Sequence, residues 1–364
     1  PPDSSLHGPV LERLLEFGVT TILSPGARPG AGAEVRDRLR AGEIRGPRML
    51  TAGALLDVTP EGREYGSWAT QTPTDSVIRA EIRHQDSLGV DFIKLYAGLT
   101  PDLVAAGVDE ATRLGLPAIG HLETTPWAEA ARAGISMLVH SGWSTPMEEI
   151  IDLADPDSAT EEEWYRAYAS APSSPRFAAL VQSLIDNDVV VVPTLAITQA
   201  GAVGRDAELL PAFRPDLAPE RDVPGWWGDD WESRHPHYGD TSEEEGRLLE
   251  DVYFPGVLAI HRAFFRRGVK LGVGTDVGNA WMTPGVSFHY ELGLYQDAGI
   301  PPLQILAMAT RNGAEALGLA DSVGTIAVGM RADLVVLGGD PTVDIRNSTR
   351  IGRVFLGGVE VGGR

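Results

Sequence analysis

The chain has 364 residues, a formal net charge of −21 and no cysteine. That acidity argues against nucleic acid and anionic membrane surfaces as partners, and the absent thiols exclude disulfides, zinc–thiolate sites and cysteine nucleophiles. The length suits one large α/β barrel or two medium domains; any metal must be held by nitrogen and oxygen ligands. No apolar stretch approaches the roughly 20 residues needed to span a bilayer, so no membrane segment is expected.

One unit recurs along the chain: a helical periodicity, a glycine that stops it, then a short β-branched run. Residues 11–17 are periodic at helical spacing, Gly18 ends the helix, and Val19-Thr20-Thr21-Ile22-Leu23 reads as a strand. The same order predicts helices over 79–88, 103–114 and 128–133, followed by strands over 92–96, 117–121 and 136–140. Residues 177–186 lead into Val189-Val190-Val191-Val192-Pro193, and 257–267 lead through Gly268 into a strand over 269–274. Strands apolar on both faces that alternate with helices indicate a parallel sheet covered by helices. This many units in about 300 residues favours a (β/α)8 TIM-type barrel over an open doubly wound sheet. Neither a G-x-G-x-x-G after an early strand nor a Walker-type loop is present to support the open alternatives.

Residues 1–319 are therefore read as the barrel. Two stretches within it, 143–175 and 198–255, are acidic, rich in proline and tryptophan, and without repeat. Each follows the carboxyl end of a strand, so both are expected to lie over the barrel mouth as lids. Residues 320–364 read as an appended all-β piece, with short strands over 324–329, 332–337 and 353–356, too small to bury two sheet faces alone.

Polar residues at the carboxyl ends of barrel strands face one mouth. Four stand at such ends here: Lys94, His121, His140 and Asp276. Only two lysines occur in the chain, and Lys94 sits inside the apolar run Val90-Asp91-Phe92-Ile93-Lys94-Leu95-Tyr96. A buried ammonium is costly to desolvate, so a lysine there has a partner or an altered ionisation state. An ammonium has no lone pair, but a neutral amine can capture carbon dioxide, and the resulting carbamate offers two oxygens able to bridge two cations. Neutral imidazoles then complete the coordination of one ion, and the aspartate reaches the other. Water between the ions ionises near neutral pH and attacks a polarised carbonyl or phosphoryl group, with Asp276 placed to pass the proton to the leaving group. Singly, Lys94 reads as a salt-bridged barrel lysine and the histidines as hydrogen-bonded core residues. Their order at successive strand ends favours the metal centre.

These residues, in this order, resemble the metal-dependent amidohydrolase superfamily, in particular its imidazolonepropionase-like and Xaa-Pro dipeptidase (prolidase)-like branch. The resemblance covers nearly the whole chain. It rests on Phe17-Gly18-Val19-Thr20-Thr21, Gly46-Pro47-Arg48-Met49-Leu50, Phe92-Ile93-Lys94-Leu95-Tyr96, the runs 115–121 and 134–140 that end in His121 and His140, and Gly274-Thr275-Asp276. The tail over 324–337 is similar to the stretch that returns to the family's small β-sandwich. The resemblance implies that Lys94 is the carbamylated bridging lysine, that His121 and His140 hold the more exposed ion, and that Asp276 is the strand-eight ligand and proton shuttle. It implies zinc as the metal, with other divalent ions accepted.

In one respect the chain departs from the pattern. The family's first strand ends in a His-x-His pair that holds the more buried ion, and no such strand precedes the first helix; His7 has no apolar run ahead of it. The N-terminal half of the β-sandwich is missing too. Two losses at one end predict a sequence that starts late, with a natural variant as the alternative. Lys94, His121 and His140 would then remain for the exposed ion, and the carbamate and Asp276 for the buried one.

His235-Pro236-His237 has the same spelling as the missing pair, but proline is awkward on a regular strand; within the second lid it is expected nearer substrate than metal. Tyr96, two residues beyond Lys94 on the same strand face, is a candidate to contact substrate, with filling of the barrel top as the plainer role. His289 is expected behind the site or at the surface, and Trp226, Trp227 and Trp231 in lid packing.

The function expected is hydrolysis of a C–N bond in a small amide, dipeptide or cyclic amide. An ester, lactone or phosphotriester hydrolase on the same site is the alternative within enzymes, and a non-catalytic amidohydrolase-like binding protein the alternative outside them. A small-molecule substrate is the partner expected, with homo-oligomerisation open. A cytoplasmic location is expected, with export left open because any signal would precede Pro1.

Overall fold

The computed structural model describes residues 8–58, 68–142, 147–153, 155, 158–203, 210–212, 214, 242–279 and 281–363. The strands are short: β1 (Thr21–Ser24), β2 (Arg48–Thr51), β3 (Leu55–Asp57), β4 (Ala69–Gln71), β5 (Ile93–Leu95), β6 (Ala118–Gly120), β7 (Met137–Val139), β8 (Val190–Val192) and β9 (Lys270–Leu271). The order β4-β3-β5-β6-β7-β8-β9 forms one seven-stranded sheet, parallel at every step. β1 pairs with β2 in parallel, from Thr21 opposite Arg48 to Ser24 opposite Thr51. The Thr51 carbonyl accepts the N–H groups of Asp91 and Phe92 at 2.8 and 3.2 Å, which ties this pair to the approach of β5. Successive strands thus run β1, β2 continued by β3, then β5 to β9, in the TIM-barrel-like α/β arrangement. Among the described residues, no strand pairs with the outer edge of β1 or of β9.

Successive residues of a strand face opposite sides, and the chain sorts two cores by that rule. Phe92, Ile119, Met137, Val139, Val190 and Val192 face inward and pack together with Leu50 and Ala52. Ile93, Leu95, Leu138 and Val191 face outward, against the covering helices. Those helices include Asp75–Ser87, Pro101–Leu114, Trp127–Ala133, Pro175–Asp186, Phe254–Arg267 and Val286–Asp297. The glycines that stop the periodicity act as expected: Gly115, at φ 76°, returns its N–H to the carbonyls of Ala111 and Thr112, the left-handed cap that only glycine adopts without strain.

The C-terminal piece is an antiparallel sheet in the order β10 (Leu334–Leu337), β11 (Ile351–Leu356), β12 (Val359–Gly362). It buries Ile351 and Val354 against Leu15 and Phe17 from the first helical segment. Arg48 at the start of β2 pairs with Asp333 at 2.6 Å, and the other Asp333 oxygen accepts the Gly357 N–H, so one carboxylate joins barrel and sheet. The strand expected over 324–329 is not formed. Gly324 and Gly329 take positive φ values of 95° and 92°, and Ile326 and Val328 are exposed, so this run is a turn whose larger apolar side chains stay unburied.

Of the two stretches read as lids, the described parts include packed helices. Helix Glu161–Ser170 opens with a capping box between Thr160 and Glu163, and its Tyr165 and Tyr168 are buried against Tyr253. His7, Trp226, Trp227, Trp231, His235 and His237 lie outside the described residues. No described helix is long and apolar enough to cross a membrane.

Candidate active site

Lys94, His121 and His140 come from strand ends and Asp276 from the loop that follows β9, and the local backbone explains where each points. Lys94 is two residues after inward-facing Phe92 and so projects into the barrel. Across the sheet it stands between Leu55 of β3 and Ile119 of β6. His121 is two residues after inward-facing Ile119, and its N–H is held by the Leu95 carbonyl at 3.0 Å. Alternation alone would turn His140 outward, because Val139 already faces in. The backbone of His140 is left-handed instead, at φ 62°, and the ring is brought back to the mouth. Thr194 and Asp276 share that conformation at φ 54°. Such backbone costs on the order of 1–3 kcal/mol per residue and is concentrated at functional sites. On the way to Asp276 the backbone passes close to β8 at Gly274, where a Cβ would stand 2.7 Å from Val192 Cγ1.

The four residues meet. The rings of His121 and His140 lie edge to face with centroids 4.7 Å apart, and His140 Nε2 is 3.9 Å from Asp276 Oδ2. Tyr96 places its ring 4.5 Å from that of His121. Lys94 is 2% exposed, and its Nζ is buried without a hydrogen-bond partner among the described residues. Burial lowers its pKa to about 8, with Asp276 opposing the shift. Burial likewise lowers both imidazoles, His140 well below its ordinary value with the neighbouring His121 adding to the effect. It raises Asp276, which Lys94 and His121 pull back down. All of these shifts favour neutral groups, the forms in which an amine reacts and an imidazole offers a lone pair.

A divalent ion fits this donor set on one condition. Among the described residues no group of three or more His, Cys, Asp or Glu side chains is arranged to hold an ion. The orphaned Lys94 amine stands where a further ligand is wanted, and as a carbamate it would add two oxygens to two imidazoles and a carboxylate. No other described group claims that nitrogen, so the chemistry of the set fits.

Three residues near these groups were not evident from the sequence. Glu123 Oε1 is 3.2 Å from His121 Nε2, Thr194 Oγ1 is 2.9 Å from His140 Nδ1, and Asn279 Nδ2 donates to Asp276 Oδ2 at 2.7 Å. Only the short spacings His121–Glu123 and Asp276–Asn279 hint at two of them; Thr194 had no such signal. His289, expected behind the site or at the surface, is buried and borders the same cavity as the site. Its two nitrogens bridge Ser348 Oγ and the Phe17 carbonyl, each at 2.9 Å.

The site opens on a cavity of about 1340 Å³ that also runs along β1 and the segment after β9. Trp68, Ile197, Leu249, Val277 and Phe288 contribute apolar walls, and Tyr96 a phenol.

Behind the site, Ser141 hydrogen-bonds to His261 Nε2, and His261 Nδ1 lies 2.6 Å from the Val257 carbonyl. Burial holds this imidazole down at about 4. An unfolded histidine takes its proton near 6.5, so the folded state falls behind as the pH drops below that value. The stability present above pH 6.5 is lost through pH 4, by about 3 kcal/mol. Urea unfolding of a His261→Gln variant should show a shallower loss over that window than the parent chain; equal slopes would contradict the assignment.

Comparison with known proteins bears on the fold and on the C-terminal third of the chain. Residues 249–361, which include Asp276 but not Lys94, His121 or His140, match the amidohydrolase family model. No curated protein sequence matches the chain significantly. Among solved structures, a Xaa-Pro dipeptidase with methionine bound in its active site is similar over 96% of this chain and 77% of its own, with TM-score 0.67 and 19% identity. An amidohydrolase of bottromycin is similar over 97% and 73%, with TM-score 0.69 and 21% identity. The ochratoxinase of A. niger is similar over 98% and 74%, with TM-score 0.66 and 18% identity. The chain thus carries amidohydrolase family sequence over residues 249–361 and, over nearly its whole length, the fold shared by a Xaa-Pro dipeptidase and other amidohydrolases.

Proposed function

We propose that the chain is a metal-dependent hydrolase of C–N bonds in a small amide, dipeptide or cyclic amide. The observation that carries this reading is the buried, unbonded amine of Lys94 beside two neutral imidazoles and a carboxylate, all facing one cavity. Lys94 as a carbamate, His121, His140 and Asp276 would hold the metal, with zinc the ion proposed. A bound divalent ion supplies a water activated near neutral pH and polarises the scissile carbonyl. The chain's own groups do the rest. Asn279 donates to Asp276 Oδ2, and Oδ1 is the oxygen proposed to take a proton and return it to the leaving nitrogen. Tyr96 is proposed to contact the substrate, and the apolar walls favour substrates with apolar groups flanking the bond. In domain terms, we propose residues 1–319 as the barrel, with 143–175 and 198–255 near its mouth, and 320–364 as part of a small β-sandwich. An eighth strand between β1 and β9 would complete the barrel.

Chelation should abolish turnover, and zinc with bicarbonate should restore it. Restoration by zinc alone in carbon-dioxide-free buffer would count against the carbamate. A panel of Xaa-Pro dipeptides, acyl-amino acids and a chromogenic phosphotriester tests the bond: amide turnover should dominate, and faster phosphotriester or ester cleavage would replace the C–N reading. A non-catalytic binding protein is the second reading, favoured by the lack of three conventional ligand side chains in a ready-made group among the described residues. A chain that takes up zinc and turns over nothing on the panel would support it.

A further inference from the structure

We propose that Thr194 is a positioning residue that fixes the tautomer of His140, keeping the proton on Nδ1 and the lone pair of Nε2 turned into the site. The purpose of this device rests on the hydrolase reading, but the device itself is read from hydrogen bonds alone. Thr194 Oγ1 lies 2.9 Å from His140 Nδ1 and donates to the Pro193 carbonyl at 2.7 Å. A hydroxyl has one proton and two lone pairs. With that proton spent on Pro193, the oxygen faces His140 as an acceptor, and Nδ1 must donate. Nε2 is then unprotonated and faces Asp276, 3.9 Å away.

The surroundings hold Thr194 to this task. It is 3% exposed and sits at φ 54°, a conformation that strains a β-branched residue. The backbone beyond it is clamped: Glu291, wholly buried, accepts the N–H groups of Leu195 and Ala196 at 2.9 and 2.6 Å. The His140 backbone is clamped as well, its N–H on the Val192 carbonyl at 3.0 Å. Donor and acceptor are thus both set by backbone contacts that do not depend on a metal, so the imidazole is oriented before any ion arrives. Groups that orient ligating histidines in this way typically change metal affinity by about 10–100-fold when removed.

The test is histidine-selective ¹⁵N NMR of the chelator-treated full chain near pH 8, with the His140 signals identified by their loss in a His140→Gln variant. The parent chain should show Nδ1 protonated and Nε2 bare. Thr194→Val, which keeps the shape and removes the oxygen, should shift His140 toward the other tautomer or a mixture, and Thr194→Ser should restore the parent pattern. Zinc affinity should fall by about 10–100-fold in Thr194→Val and recover in Thr194→Ser. A parent chain with the proton on Nε2 overturns the proposal even if neither variant folds. So does an unchanged tautomer in Thr194→Val. An active enzyme with the wrong tautomer would remove this device and leave the hydrolase reading standing; the right tautomer in a chain without turnover would do the reverse.

Discussion

A Lys94→Met variant should hold no metal and show no measurable turnover, yet fold at least as stably as the metal-free parent. Methionine fills the same inward space without an amine, so neither a carbamate nor a charge can form there. The parent amine is buried and has no described hydrogen-bond partner, and leaving a polar group in that state costs about 1–3 kcal/mol. Removing it should therefore offset whatever packing methionine loses. The pH dependence has a definite sign. The folded amine releases its proton near 8, the unfolded one near 10.5, so the parent gains stability as the pH rises between these values. The advantage of the methionine variant should narrow over the same window. Denaturant titrations of both metal-free proteins at pH 7 and pH 10, with metal content and turnover, test all three statements. Parent-like turnover in the variant would remove Lys94 from the mechanism, whatever its stability.

An Asp276→Asn variant should separate metal holding from proton transfer. Lys94, His121 and His140 remain, so the variant should still take up metal, though more weakly. The amide cannot accept the proton that Asp276 Oδ1 is proposed to carry, and kcat should fall by about 10²–10⁴-fold, the usual contribution of a positioned general base. Because Asn279 fixes Oδ2 of the parent carboxylate, the substitution changes the chemistry of one oxygen with little change of position. KM should move far less than kcat. A loss below tenfold with metal retained would show that another group handles the proton.

Much of the barrel was legible because its strands carry a repeated local signal. A helix, a glycine and a β-branched run recur, and the same glycines turn up as left-handed caps. That rhythm located Lys94, His121 and His140 to within a residue of their strand ends. It did not reveal how His140 enters the mouth, since that depends on a left-handed backbone which overrides strand alternation. Glu123, Thr194 and Asn279 stayed hidden because a single polar side chain that supports a neighbour has no periodicity. The apolar spelling of Gly324-Thr325-Ile326-Ala327-Val328-Gly329 misled for the opposite reason: β-branched residues make a strand only when a partner edge is present, and among the described residues none is. The partners of His289 were hidden because Phe17 and Ser348 converge on it from distant parts of the chain.

The central claim is that Lys94 anchors a metal centre with His121, His140 and Asp276. The most direct measurement is metal content per chain, by elemental analysis after purification with zinc and bicarbonate, for the parent and for Lys94→Met side by side. At least one zinc per parent chain and none in the variant is the predicted result. A parent chain without stoichiometric metal, or a variant that holds as much as the parent, would contradict it.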